Sequence, residues 1–300
     1  MKEITIISHD GYKLHCSLWD DTARPKGVIQ LVHGMASYGA RYDEFAEILN
    51  KSGYIAFADD HRGHGKSAKI PGVVDYDNFN QCVKDQIHIT RMLKAEYKLP
   101  VQLFAHSFGS FLAQRYIQLY DDIDGVILSG SAHMGGKTLK LGIMLTAIRK
   151  LFIKSSTPSK FLYNLSFKAN NKPFLSEGLI NAWINRDSDA VRRFNEDPSC
   201  GFIMSEAFYY SLMRGLWDAV KKENIASISS KLPIMIMSGR MDPVGGMGEK
   251  VLKLYNEYKA NNLNVSLRLY DDVRHELTSD PDKDKLIAEM IEFYNNNLKY

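Results

Sequence analysis

Ala105-His106-Ser107-Phe108-Gly109 stands between a strand-like run, Val101–Ala105, and Phe108–Tyr120, whose apolar residues recur at helical spacing. It has the G-x-S-x-G form with Ala in the first place. Small residues flank the central serine because the turn is tight and the serine backbone is strained. Such an elbow lifts the hydroxyl clear of a sheet. It also sets the next backbone N–H at a helix N-terminus, where it can meet an anion. A five-residue pattern arises by chance, and a buried structural serine is the competing reading. The strand–turn–helix context favours a nucleophile at Ser107, supported by His106 and Gly109.

On both sides of the elbow, strand and helix patterns alternate. Three β-rich runs come first, Glu3–Ser8, Lys13–Leu18 and Gly27–Val32. His9-Asp10-Gly11 reads as a hairpin turn between the first two, because glycine tolerates positive φ. Tyr42–Lys51 reads as a helix, Tyr54–Ala58 as a strand, Phe79–Tyr97 as a longer amphipathic helix and Gly125–Ser129 as a strand. The rhythm resumes with a strand at Pro233–Met237, a helix at Glu249–Lys259, a strand at Val265–Tyr270 and a last helix at Lys283–Asn297. The expected fold is α/β, a mostly parallel eight-stranded sheet with helices on both faces. From about 134 to 228 the alternation gives way to aromatic-rich helical stretches that include Phe167, Trp183, Phe194 and Trp217. The expected organisation is a core of residues 1–133 and 229–300, with 134–228 inserted as a helical cap.

A serine nucleophile needs a base and a group to orient that base. Two later strand ends offer them: Ser238-Gly239-Arg240-Met241-Asp242-Pro243 and Val273-Arg274-His275-Glu276. Both fall at the C-terminal edge of a doubly wound sheet, where such folds place ligands. Asp242 and His275 are the candidate acid and base. Asp271, Asp272 and Glu276 are rival acids, but adjacency to His275 in the chain does not aim a carboxylate at its ring. For Asp242 alone a turn residue before Pro243 is the plain alternative, and for His275 a surface histidine. In Val32-His33-Gly34-Met35, Gly34 lets the chain turn so that the Met35 N–H faces the nucleophile. With the Phe108 N–H this makes a two-donor oxyanion hole, and His33 reads as a buried hydrogen-bonded support.

Asp60-His61-Arg62-Gly63-His64-Gly65-Lys66-Ser67 resembles the D-x-R-G-H-G-x-S signature of the monoacylglycerol lipase and lysophospholipase group of α/β-hydrolases, which carry a serine aminopeptidase S33-type hydrolase domain. The segments H-G-M, A-H-S-F-G, G-R-M-D-P and R-H-E resemble the same group in the same order, and so does Asn195-Glu196-Asp197-Pro198 within the insertion. The resemblance runs from about residue 3 to 298. It implies the α/β-hydrolase fold, a serine esterase acting on monoacyl lipids, a helical cap and no cofactor. It matches Ser107, Asp242 and His275 to the catalytic triad, and Met35 and Phe108 to the oxyanion donors. Two departures stand out. Ala105 replaces the usual Gly, and Leu277-Thr278-Ser279-Asp280 follows R-H-E where relatives carry an Asn-Glu or Asp pair, which leaves the support of His275 open.

Other patterns carry less. Gly65-Lys66-Ser67 ends like a P-loop, but Asp60 stands where the first Gly belongs. His61 and His64 have a metal-like spacing without a Cys or Asp cluster, and no metal is expected. Gly245-Gly246-Met247-Gly248 reads as a turn before a helix.

The 300 residues, 45% hydrophobic and 24% charged, exclude a disordered, collagenous or coiled-coil chain. Cys16, Cys82 and Cys200 are scattered, odd in number and form no CxxC, which suits a reducing compartment rather than a disulfide framework. No signal-peptide pattern opens the chain, and runs such as Val28–Val32 are too short to span a bilayer, so a cytoplasmic protein is expected. The net charge of +3 makes nucleic acid an unexpected partner. That charge is unevenly spread. Residues 125 to 176 hold eight Lys and Arg and no acid, leaving the remainder with 30 basic against 35 acidic residues.

Within the basic stretch, Leu139, Leu141, Ile143, Met144, Leu145, Ile148, Leu151 and Phe152 form an amphipathic helix candidate. It either packs its apolar face over the substrate or rests on an anionic membrane as a peripheral contact at the inner surface. The expected substrate is an acyl ester, foremost a monoacylglycerol or lysophospholipid. A general esterase, thioesterase or peptidase on the same triad is the alternative, and a non-catalytic hydrolase-fold binding protein the remoter one.

Overall fold

A computed structural model describes residues 1–298. Eight strands form one sheet: β1 (Lys2–Ile7), β2 (Lys13–Trp19), β3 (Gly27–Val32), β4 (Tyr54–Asp59), β5 (Val101–His106), β6 (Gly125–Ser129), β7 (Ile234–Gly239) and β8 (Val265–Tyr270). Their order is β1-β2-β4-β3-β5-β6-β7-β8. β1 and β2 pair antiparallel, as do β2 and β4, and every later pair is parallel. This is the α/β-hydrolase architecture, and it follows from the alternation in the sequence. The β1–β2 turn closes through the Ser8 N–H to the Tyr12 carbonyl at 2.8 Å, with Gly11 at φ +85°.

Helices cover both faces, so the central strands β3 to β7 are buried at every position. On one face α1 (Asp43–Lys51) contributes Phe45 and Leu49, and the C-terminal helix Lys283–Asn296 contributes Leu286, Met290 and Tyr294; these meet Ile29, Leu31 and Phe104. On the other face α2 (Asn78–Tyr97), α3 (Phe108–Leu119) and the helix Glu249–Ala260 close over Val32, Leu103, Ala105 and Val126. The period of two sends Phe104 to one side and Leu103 and Ala105 to the other.

Between β6 and β7 lie α4 (Lys137–Phe152), α5 (Lys160–Leu165), α6 (Ser188–Glu196), α7 (Glu206–Ala219) and α8 (Lys222–Ala226), with 3₁₀ turns at Lys168–Glu177 and Ala182–Ile184. α4 is apolar on more than one side. Leu139 is buried, whereas Leu141, Met144, Ile148, Leu151 and Phe152 are exposed. Its apolar residues therefore do not all turn inward, because eight of them outnumber the positions that one packing face offers. Among the described residues no helix is long and apolar enough to cross a membrane.

Candidate active site

Ser107 sits at the end of β5 with φ +53° and ψ −119°, a strained conformation for a residue with a side chain. Its N–H is held by the Ser129 carbonyl at 2.9 Å, and its own carbonyl accepts from the N–H groups of Ser110 and Phe111. Gly109 is required by close packing, since a Cβ there would overlap the Val32 carbonyl oxygen where α3 crosses β3. Ala105 lies inside β5, opposite Val32 and Leu128, with its methyl group in the core. The substitution for Gly is thus absorbed one step before the bend.

The loops after β7 and β8 cross at Gly239, where a Cβ would collide with the Val273 carbonyl. The Met241 N–H bonds that same carbonyl at 3.0 Å, and the Arg240 N–H bonds the Tyr270 carbonyl at 2.8 Å. This crossing brings the two loops' side chains together. His275 Nδ1 lies 2.8 Å from Asp242 Oδ2, and His275 Nε2 lies 2.8 Å from Ser107 Oγ. Asp242 is fully buried, and its Oδ1 accepts the Val244 N–H at 2.9 Å, so the carboxylate cannot swing away from the ring. Two of the rival acids are engaged elsewhere: Asp271 pairs with Arg240, and Glu276 with Arg41.

Gly34 packs against this site so tightly that a Cβ would stand 3.3 Å from Ser107 Cβ and from the His106 ring. Met35 and Phe108 line the same cavity as Ser107. Phe108 opens α3, and the N–H groups of a helix's first turn have no acceptor inside the helix. An anionic oxygen beside Ser107 would meet that dipole end favourably. His106 is buried 4.6 Å from the His275 ring, and burial followed by its neighbour's charge pushes its pKa down to about 3. It is therefore a neutral spacer rather than a second base.

His33 belongs to a buried histidine cluster. Its Nδ1–H donates to the Gly34 carbonyl at 2.8 Å, its Nε2 accepts the His61 N–H at 3.0 Å, and its ring stacks on His61 at 3.7 Å. Burial holds His33 far below its ordinary pKa. Burial also works against charge on His61, but Asp59, 2.8 Å from Nδ1, outweighs it and raises that pKa. His64 is pushed down to about 3 by burial and by His61. Asp60 accepts the N–H groups of Gly39 and Lys66, each at 2.8 Å, while Arg62 joins Asp85 to Asp10. The Asp60–Ser67 segment is thus a brace behind the Gly34–Gly39 turn; both ring nitrogens of His61 meet protein groups, whereas His64 meets the Arg62 carbonyl through Nδ1 and leaves Nε2 buried without a protein partner.

Several contributors left no local trace in the sequence. Arg41 holds Glu276, and the Trp183 ring lies 4.8 Å from that of His275. In the segment that departs from the family pattern, the Ser279 hydroxyl donates to Glu276 at 3.1 Å and Asp280 binds Arg186 at 2.7 Å. Beyond Asp242, the His275 ring is flanked by the Trp183 indole, and the Arg41–Glu276 pair anchors the next residue of its loop. A basic residue in the otherwise apolar Gly39–Tyr42 turn was the one available signal.

A cavity of about 820 Å³ opens onto Ser107 and His275. Leu139, Leu145, Leu162, Phe167 and Leu212 form much of its wall. This is the size range of small-molecule pockets, with a predominantly apolar wall. A strained serine hydroxyl, a base on it, a buried carboxylate on the base and free N–H donors beside it can attack a carbonyl and hold the resulting oxyanion.

The model of the family described as serine aminopeptidase, S33 matches residues 23–282. Human monoglyceride lipase is 28% identical over 280 residues, covering 91% of this chain and 82% of the relative. The monoacylglycerol lipase of Mycolicibacterium smegmatis is 25% identical over 287 residues, covering 93% and 91%. Among solved structures, a thermostable carboxyl esterase from Bacillus coagulans in complex with glycerol superposes with a TM-score of 0.88 at 25% identity, covering 99% of this chain and 98% of that one.

Proposed function

Since the chain belongs to the serine aminopeptidase S33 family and is a serine ester hydrolase of the α/β-hydrolase fold, we propose that it cleaves monoacyl lipids, monoacylglycerols or lysophospholipids, through Ser107, His275 and Asp242. The observation that carries the reading is the apolar cavity of about 820 Å³ ending at the 2.8 Å contact between Ser107 and His275. An acyl chain gains about 0.8 kcal/mol per buried methylene in such a cavity, which a short polar ester forgoes. His275 Nε2 takes the Ser107 proton as Oγ attacks the ester carbonyl, and the Met35 and Phe108 N–H groups hold the oxyanion. Protonated His275, steadied by Asp242, then gives its proton to the leaving alcohol. Water releases the fatty acid by the same route. Residues 134–228 act as the cap that walls the acyl site.

The test is a side-by-side assay of monoacylglycerols, lysophospholipids and p-nitrophenyl esters of rising chain length, with Ser107→Ala as the blank. Preference for medium or long chains, lost in Ser107→Ala, is the expected result. Equal rates from acetate to palmitate, or faster cleavage of aminoacyl amides, would replace the lipid reading with an esterase or a peptidase.

A second reading rests on α4. Leu141, Met144, Ile148 and Leu151 form one exposed stripe among Lys137, Lys140, Lys150 and Lys154, the composition of a helix that lies in an anionic lipid surface. Co-sedimentation with phosphatidylglycerol vesicles should exceed that with phosphatidylcholine vesicles. Equal, weak binding to both would refute it.

A further inference from the structure

The Asn195-Glu196-Asp197-Pro198 segment has no part in the chemistry just described, yet it reaches across to the turn that carries Met35. The Tyr38 hydroxyl donates to Asp197 Oδ2 at 2.8 Å, and the Gly201 N–H donates to the Ala36 carbonyl at 2.9 Å. Ala36 has φ +51°, a left-handed conformation that a residue with a Cβ adopts at a cost. Asp197 is itself set by its own turn, accepting the Ser199 N–H at Oδ1 at 2.8 Å and the Cys200 N–H at its carbonyl at 2.9 Å. Met35 and Tyr38 pack against the cluster that includes Phe194 and Cys200, and the Arg41 guanidinium lies 4.9 Å from the Phe194 ring centre.

We infer that Asp197 and Tyr38 are positioning residues for the oxyanion hole: the inserted segment clamps the strained Gly34–Arg41 turn and so fixes the direction of the Met35 N–H. The inference rests on the proposed role of Met35 and deepens it. The turn is pinned at both ends, because Asp60 holds the Gly39 N–H from the core while Asp197 and Gly201 hold Tyr38 and Ala36 from the insertion. Between these anchors the Ala36 peptide keeps a geometry that it would not hold alone. An N–H displaced by a fraction of an ångström costs little when a neutral ester binds and much when the oxygen carries charge.

The test uses the full-length protein with p-nitrophenyl butyrate as substrate and an octyl trifluoromethyl ketone as the oxyanion-forming inhibitor. Tyr38→Phe leaves the Asp197 turn intact and should lower kcat about tenfold with KM within about twofold. The ketone should weaken by the same factor. Asp197→Ala should match it, the double variant should be no worse than either single, and Asp197→Asn, whose oxygen can keep the Ser199 N–H while its Nδ2–H donates to the Tyr38 hydroxyl oxygen, should recover most of the rate. Unchanged kcat and ketone affinity in Tyr38→Phe overturn the clamp while leaving the hydrolase reading standing. A loss confined to KM, or Asp197→Asn as impaired as Asp197→Ala with a matching fall in Tm, overturns it in favour of plain stability. A native protein that cleaves no ester and binds no ketone sinks both readings at once.

Discussion

Arg41 grips Glu276 with two hydrogen bonds, Nη1 to Oε1 at 2.8 Å and Nη2 to Oε2 at 3.1 Å, one residue beyond His275 and 235 residues away in the chain. Burial works against the Glu276 carboxylate, but the guanidinium outweighs it and lowers the pKa from an ordinary 4.5 to about 2. A depressed carboxyl pKa adds stability that is fully present above the ordinary value and is lost as pH falls through the folded one. The drop corresponds to roughly 3 kcal/mol, and an isosteric amide would strand the Arg41 charge at a similar cost. Glu276→Gln should therefore melt well below the native protein above pH 5, and the gap should close between pH 4.5 and 2. A gap that stays constant over that range would show that the pair does not control acid stability.

Asp242→Asn tests the orientation of the base. The amide fills the same buried space but no longer accepts the Nδ1 proton in the required tautomer, so kcat should fall by on the order of 10⁴ with Tm changed little. Fluorophosphonate labelling of Ser107 should slow in parallel. Unimpaired labelling would move the role of acid to another carboxylate.

Gly239→Ala should be costly out of proportion to one methyl group. The added carbon would strike the Val273 carbonyl, where the loops bearing Asp242 and His275 cross. Overpacking of this kind costs about 1–3 kcal/mol. Because the two loops must part to accommodate it, kcat should fall together with Tm. Gly245→Ala, whose one close contact is the Val251 side chain, with the Ser238 hydroxyl at 3.4 Å and the Asp242 carbonyl at 3.5 Å in ordinary contact, is the milder comparison.

These relationships show what the sequence could convey. The strands β3 to β8 end within a residue or two of where alternation and propensity place them; β3 to β7 are buried on both faces and read as mostly apolar runs, whereas β8 alternates, with Ser266 and Arg268 among its apolar residues. The elbow was legible because its constraint is local: a strained serine and a Gly109 that must lack a Cβ. Arg41–Glu276, Tyr38–Asp197 and Asp59–His61 braced behind His33 were not legible. Each is a polar contact whose partner is chosen by the fold, and no spacing rule encodes it. The outward stripe of α4 was legible only as one of two alternatives, for a different reason. Leu, Ile and Met at seven of sixteen positions, spread around the helix, fit a buried helix and a partly exposed one equally well until the neighbours are known.

The cavity wall gives the last prediction. Leu145 contributes to it from α4, on the insertion, and takes no part in the hydrogen bonds around Ser107. Leu145→Trp places a two-ring side chain where an acyl chain would lie. If it excludes three methylenes, the loss is about 2.4 kcal/mol at ~0.8 kcal/mol each, close to fiftyfold in kcat/KM. That loss should fall on long-chain monoacylglycerols and spare p-nitrophenyl acetate, whose acyl group ends beside the serine. A profile across acyl lengths from two to eighteen carbons separates the outcomes. A break at a definite length identifies the cavity as the acyl site, whereas an equal loss at every length would mean that Leu145 supports the site without touching the substrate.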